Sequence, residues 1–283
     1  MQCEYCYMNC RELIDFCAAE LQRAGIANFR NEARWLVLET LKLTTSALYR
    51  EEQLTAIQHS QATCALERRC RREPLQYILG SAPFGEIELK VSPAVLIPRV
   101  ETEVLVDYLV EHLPENGSLL DVGCGSGAIA LLTAVRRRDI QVTAVDKSAE
   151  ALAVAAENCS RLQLDDRVRL IESDLLSRVG KTSFDLIAAN LPYVTFDEYE
   201  TLEPEVRCYE PQLALTAAAE GLSLIFELIR QLPDFLAPDG IVVLEMSPHQ
   251  TGRVQEFLAG SGFVSGCFAD QFGKYRFVAA RRG

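Results

Sequence analysis

The chain has 283 residues, 49% of them hydrophobic, enough to bury a substantial core in one large or two smaller units. Forty acidic against twenty-eight basic residues give a net charge of −12, which repels polyanions and disfavours direct nucleic-acid binding. No stretch approaches the about 18 uninterrupted apolar residues of a membrane helix. The opening MQCEYCYMNC has neither a basic region nor an apolar run, so a cytoplasmic protein without a membrane partner is expected.

Ten cysteines are scattered at positions 3, 6, 10, 17, 64, 70, 124, 159, 208 and 267, without the dense framework of a disulfide-stapled domain. The first four have a spacing reminiscent of a metal site. Asn9 followed by Glu12, however, is a capping-box signature that opens a helix and puts Cys10 and Cys17 on one face. Buried thiols and no metal are the expectation. Apolar residues recurring every three or four positions predict helices over 9–24 (closed by Gly25), 30–43 and 51–72 (stopped by Pro74), a small helical domain spanning residues 1–80. The basic run Glu67–Glu73 reads as a solvated helix face, as does Arg136–Arg138.

Residues 81–103 alternate apolar and polar positions punctuated by Gly85, Pro93 and Pro98, predicting a hairpin and linker. Over 104–283, strands are predicted at 118–122, 141–146, 168–173, 184–190, 240–246, 263–269 and 275–280, with helices at 128–138, 148–162 and 222–236. This is an α/β pattern: a mainly parallel seven-stranded Rossmann-like sheet covered on both faces. No helix separates the last two strands, so they form an antiparallel edge hairpin.

Open parallel sheets bind ligands beyond the carboxyl ends of their strands. After the first long strand comes DVGCGSGAIAL. Gly123, Gly125 and Gly127, with Cys124 and Ser126 between them, permit a tight turn at a helix N-terminus, a pattern that equally suits a dinucleotide. Asp146, 19 residues after Gly127, is placed to accept the hydroxyls of an adenosine ribose. Asp121 directly before the glycines would repel a pyrophosphate but attract an ammonium and a sulfonium. Asp174 and Leu175, after the third strand, suit an adenine amino group and ring. Together these favour S-adenosylmethionine over NAD.

The fourth strand ends in Asn190, Leu191, Pro192 and Tyr193. An amide nitrogen attacking a methyl sulfonium must be aimed in line with the carbon–sulfur bond, with its two N–H groups held by acceptors. The Asn190 side-chain carbonyl and the Leu191 backbone carbonyl supply two acceptors. Pro192 stiffens the turn, and Tyr193 offers an aromatic wall. His59, His112 and His249 have no convergent partners and receive no catalytic role. Glu245, ending the fifth strand, is left outside the site.

The NLPY segment, REPLQYILG at 72–80, VSPAVLIPRVETE at 91–103, DVGCGSGAIAL and YEPQLAL at 209–215 together resemble the release factor glutamine methyltransferases, the PrmC/HemK family of class I methyltransferases. The resemblance covers most of the chain. It implies methyl transfer from S-adenosylmethionine, leaving S-adenosylhomocysteine, to the side-chain nitrogen of the glutamine in the GGQ motif of peptide chain release factors. It also implies a helical N-terminal domain that helps hold this protein substrate. Gly123–Gly127, Asp146 and Leu175 would bind the cofactor, and Asn190–Tyr193 the glutamine. Three positions depart from the family pattern: Leu191 replaces the first proline of N-P-P-Y, Val100 follows LIPR, and Ser247 replaces a glycine. A monomer is expected. The competing readings are a glutamine methyltransferase of a ribosomal protein, an adenine-N6 nucleic-acid methyltransferase, and a catalytically silent cofactor-binding protein.

Overall fold

The computed structural model describes residues 8–283. Asn9 accepts from the Glu12 N–H at 3.1 Å while the Glu12 carboxylate accepts from the Asn9 N–H at 2.8 Å, opening α1 (Cys10–Arg23). Next come α2 (Phe29–Thr40), a 3-10 turn at Thr45–Tyr49, α3 (Ala56–Cys70) and α4 (Leu75–Leu79). The third helix begins at Ala56 rather than Glu51 because Thr55 and Gln58 form a second capping box there. Cys10 and Cys17 lie in the core with Leu13, Leu21 and Leu36, and burial pushes the Cys17 thiol up to about 12. Cys3 and Cys6 fall outside the described residues.

These helices belong to a unit that ends at Gly80 and is completed by Glu203–Tyr209, a segment from far along the chain. Electrostatics explain its inclusion. Arg69 on α3 is 5% exposed and donates to Glu32 at 2.6 Å and to Glu205 at 2.9 Å. Arg72 donates to Glu205 at 2.7 Å and to Glu203 at 3.1 Å, and the Tyr209 hydroxyl donates to the Arg71 carbonyl. The basic run expected to face solvent is therefore partly interior: charge pattern alone suggests a solvated face, but one of its counter-charges, Glu205, lies 133–136 residues away.

The second unit comprises Ser81–Leu202 and Glu210–Gly283. A hairpin of β1 (Ser81–Phe84) and β2 (Ile87–Lys90) leads to α5 (Thr102–His112). The main sheet is built from β3 (Ser118–Val122), β4 (Gln141–Asp146), β5 (Val168–Glu172), β6 (Phe184–Ala189), β7 (Leu236–Glu245), β8 (Phe263–Ala269) and β9 (Tyr275–Arg282), in the order β5-β4-β3-β6-β7-β9-β8. The first five are parallel; β9 is antiparallel to both β7 and β8, giving the expected edge hairpin. Between the strands lie α6 (Ala128–Arg136), α7 (Ala149–Arg161), α8 (Phe196–Tyr199), α9 (Pro204–Tyr209, in the first unit), the single turn α10 (Ala218–Gly221), α11 (Ser223–Phe235) and α12 (Thr251–Gly260).

Both sheet faces are buried, and strand alternation sorts the residues between two cores. Leu119, Leu186, Ala188 and Val243 join the core containing α5 and α6 residues, whereas Leu120, Ile187, Ala189 and Leu244 join the core containing α11 and α12 residues. After β3 the chain winds outward through β4 and β5, then returns to place β6 on the other side of β3. The strand order therefore reverses between β3 and β6, the position where such sheets open a ligand crevice. Among the described residues no helix is long and apolar enough to cross a membrane.

Removing Arg69 should leave Glu32 and Glu205 without their shared partner. Arg69→Met is expected to destabilise the chain by about 3 kcal/mol in urea denaturation. Adding Glu32→Gln and Glu205→Gln should recover most of that loss, and no recovery would show that the packing of Arg69, not its charge, matters.

Candidate active site

The register of the parallel strands assembles the site. Val122 pairs with Val145 and with Ala189, and Ala189 pairs with Leu244. One residue further along, the row therefore reads Asp146, Gly123, Asn190, Glu245. These residues come from four separate strand ends and border or adjoin a cleft of ≈ 360 Å³ lying wholly within the second unit.

The glycine turn is held from below. The Gly123 and Cys124 N–H groups donate to the Val145 carbonyl at 2.8 and 3.0 Å. Asp146 Oδ2 accepts from the Gly125 N–H and Oδ1 from the Ser148 N–H, both at 2.9 Å. Each of these oxygens retains a second lone pair, and Asp146 lines the cleft. Asn158 of α7 donates to the carbonyls of Ser126 and Lys90 at 3.0 Å, tying the turn to β2. Gly123, with φ +77°, leaves open the space that the Leu191 side chain enters: a Cβ there would stand 2.9 Å from Leu191 Cδ2.

Gly123, Cys124, Gly125, Ser126, Asp146, Asp174, Leu175, Asn190, Leu191 and Pro192 all line the cleft. Asp121 and Tyr193, expected at the cofactor and the glutamine, are not among the residues that line it. Asp121 is fully buried, and its Oδ2 accepts from the Ala130 N–H at 3.1 Å in the first turn of α6. Its Oδ1 has no hydrogen-bond partner. Burial raises its pKa to about 7, a rise that Asp146 reinforces against the Ala130 hydrogen bond. Tyr193 packs against the α11/α12 core, and burial followed by the charge of Glu245 pushes its hydroxyl up to about 12. Its carbonyl accepts from Gln250 Nε2 at 2.9 Å, and Gly221 lies so close that a Cβ there would fall 1.9 Å from that oxygen.

Leu191 is 4% exposed, and its side chain belongs to the α11/α12 core. No group among the described residues donates a hydrogen bond to its carbonyl oxygen. Burial, with Asp121 and Asp146 nearby, raises the Cys124 thiol well above its ordinary value, which removes it as a nucleophile.

Sequence reasoning missed several residues of this site. Arg99 lines the cleft and pairs at 2.6 Å with the buried Glu210, which also accepts from the Ile97 N–H at 3.1 Å; the two loops forming this clasp are 111 residues apart. Thr102, at the start of α5, accepts from Asn190 Nδ2 at 3.3 Å. Glu245 is 1% exposed, and burial raises it to about 7. Its strand parity was the available signal, since it falls on the same face as Val243.

Comparisons with known proteins agree with this architecture. The family model of the PrmC N-terminal domain matches residues 12–80, and that of the methyltransferase small domain matches 100–202. The chain is 36% identical to the release factor glutamine methyltransferase of Geobacter sulfurreducens, over 96% of each protein. It is 38% identical to that of Caulobacter vibrioides, over 86% of this chain and 85% of the relative. It is 34% identical to the human MTRF1L release factor glutamine methyltransferase, over 87% of this chain and 78% of the relative. Among solved structures, a methyltransferase from Pyrococcus furiosus superposes with a TM-score of 0.54 at 20% identity, covering 76% of this chain and 96% of that one, a likeness of fold.

Because the Asp121 pKa is raised from 3.8 to about 7, its neutral form is the one the fold favours. The associated stability is complete below about pH 4 and is lost as pH rises through about 7. Asp121→Asn should therefore melt at a higher temperature than the wild type at pH 8, with the difference vanishing near pH 4. An equal difference at both pH values would refute the raised pKa.

Proposed function

The chain belongs to the release factor glutamine methyltransferase family, and from that membership and the cleft we propose that it methylates the side-chain nitrogen of the GGQ glutamine of peptide chain release factors. S-adenosylmethionine is the proposed donor: when bound it supplies an electrophilic methyl on a sulfonium that leaves as a neutral thioether, S-adenosylhomocysteine.

The residues fit this cofactor on two counts. The carboxylates of Asp146 and Asp174 stand at strand ends that line the cleft and complement a cation, and the buried Asp121 behind the glycine turn has an Oδ1 still lacking a donor. Leu175, apolar and 8% exposed, lines the same cleft as the glycine turn and offers a surface for a planar base. Asp174 and Ser126 would contribute polar contacts at its edge. Asp146 would accept ribose hydroxyls through the lone pairs left after it has bound the Gly125 and Ser148 amides.

The observation that carries the proposal is the juxtaposition of Asn190 and Leu191 with the glycine turn, next to it in register. A carboxamide nitrogen is a poor nucleophile because its lone pair is delocalised. Two fixed acceptors on its N–H groups raise the electron density on nitrogen and fix its line of approach. Asn190 Oδ1 and the Leu191 carbonyl fill those roles. Replacing the family's proline with leucine leaves this backbone acceptor in place, since the Leu191 side chain is taken up by the opposite core. Pro192 limits the turn's freedom. Tyr193 supports the turn from behind through packing and the Gln250 bond to its carbonyl. No base is assigned: forming the N–CH3 bond as the C–S bond breaks leaves the amide nitrogen cationic and strongly acidic, so its proton passes to solvent.

Incubation with methyl-labelled S-adenosylmethionine and, separately, purified release factor, ribosomal proteins and DNA, followed by mass-spectrometric mapping, tests the reading. Label should appear on the GGQ glutamine, and label on adenine or on a ribosomal protein alone would overturn it. Asn190→Ala should lower turnover by at least about a hundredfold while changing cofactor affinity little, the magnitude expected for removing a transition-state acceptor.

A further inference from the structure

Glu245 has no role in the proposal above, yet it lies next to Asn190 in the sheet register and its side chain is buried. Parity turns Asn190 and Glu245 toward the same face as Ala188 and Val243, where α5 packs and Thr102 opens that helix. Thr102 and Asn190 are the polar neighbours of the Glu245 carboxyl that favour its charged form, and Thr102 Oγ1 accepts from Asn190 Nδ2 at 3.3 Å. The charged or titratable groups facing Glu245 from the surrounding elements are Arg276 on β9, Glu101 before α5 and Tyr193 after β6. Arg276 is itself bound to Asp270 at 2.6 Å.

These neighbours impose a direction. An ionised carboxylate only accepts, so it turns the single O–H of Thr102 toward itself. The Thr102 oxygen then has only lone pairs for Asn190, which must present its nitrogen. With its nitrogen held by Thr102 on the side of Glu245, Asn190 leaves its carbonyl oxygen for the cleft. We propose that Glu245 and Thr102 are positioning residues that fix which end of the Asn190 side-chain amide faces the substrate.

This inference rests on the role given to Asn190 above. It adds that the polarity of the clamp is imposed from the neighbouring strand and helix rather than by Asn190 itself. If Glu245 is protonated, its O–H can donate to Thr102, Thr102 can donate to Asn190, and the amide is free to turn its nitrogen toward the cleft. Burial holds Glu245 near 7, so this reversal occurs as pH falls through that range.

The test combines kinetics and spectroscopy on the full chain. With release factor as substrate, wild-type kcat should fall as pH drops below about 7. Glu245→Gln should lower kcat by about tenfold at pH 8, the scale of losing a supporting hydrogen-bond partner, and should lack the pH-dependent limb. Its affinity for S-adenosylmethionine by calorimetry should match the wild type, which also verifies folding. Thr102→Val should behave like Glu245→Gln, and Thr102→Ser, which keeps the hydroxyl, should restore wild-type turnover.

In the cofactor-free protein the side-chain amide resonance of Asn190, assigned with Asn190→Ala, should titrate near pH 7 and become static in Glu245→Gln. Wild-type kcat and an unchanged pH profile in Glu245→Gln, or Thr102→Ser no better than Thr102→Val, would overturn the proposal. If Glu245→Gln does not fold, the two Thr102 variants decide. Full turnover by Asn190→Ala would instead sink the role of Asn190 itself, while the resonance titration would still report whether Glu245 orients that amide.

Discussion

The in-register pairing of β3, β4, β6 and β7 is the constraint on which this molecule depends. Parallel strands run with their carboxyl ends at one edge, so the residue that follows each strand meets its counterparts from the neighbouring strands. Because β3 and β6 are sheet neighbours separated in sequence by two whole strand–helix units, a glycine turn and a polar turn converge that no local pattern would bring together. The fit of Leu191 against Gly123 is a direct product of that adjacency. A bulkier residue at 123 would press on a buried leucine, and a slip of one residue in register would send Asn190 to the opposite core.

Strand periodicity and loop glycines make the second unit legible in the amino-acid sequence. The sheet, its antiparallel edge and the capping box at Asn9 follow from short-range rules that operate over a few residues. The parts that escaped are those set by distant partners. Arg69 looked like a solvated helix residue because nothing nearby in the chain announces Glu205. Arg99 and Glu210 each sat in a recognisable stretch, but their mutual burial arises only when two loops meet. Asp121 and Tyr193 adjoin the lining residues in the chain, yet sequence cannot say whether a side chain faces a cleft or supports it from behind.

Several ionisable groups in the second unit are held away from their ordinary behaviour by the same cause, removal from water. Asp121 and Glu245 are carboxyl groups at strand ends whose surroundings favour the neutral state, and each has one oxygen without a partner. Such groups cost stability near neutral pH, and a fold under selection for stability alone would replace them with amides or apolar residues. Both adjoin the residues of the proposed site, Asp121 two residues before Gly123 and Glu245 next to Asn190 in register.

The short Glu203–Tyr209 segment makes the molecule topologically non-modular. The covalent path leaves the helical unit at Gly80, re-enters it for seven residues and leaves again, so the unit boundary is crossed three times. No single cut yields both units whole: a fragment ending at Gly80 keeps Arg69 and Arg72 but loses the carboxylates of Glu203 and Glu205. Exchange of the helical unit between related proteins, by recombination or by engineering, must therefore carry this insert along with it.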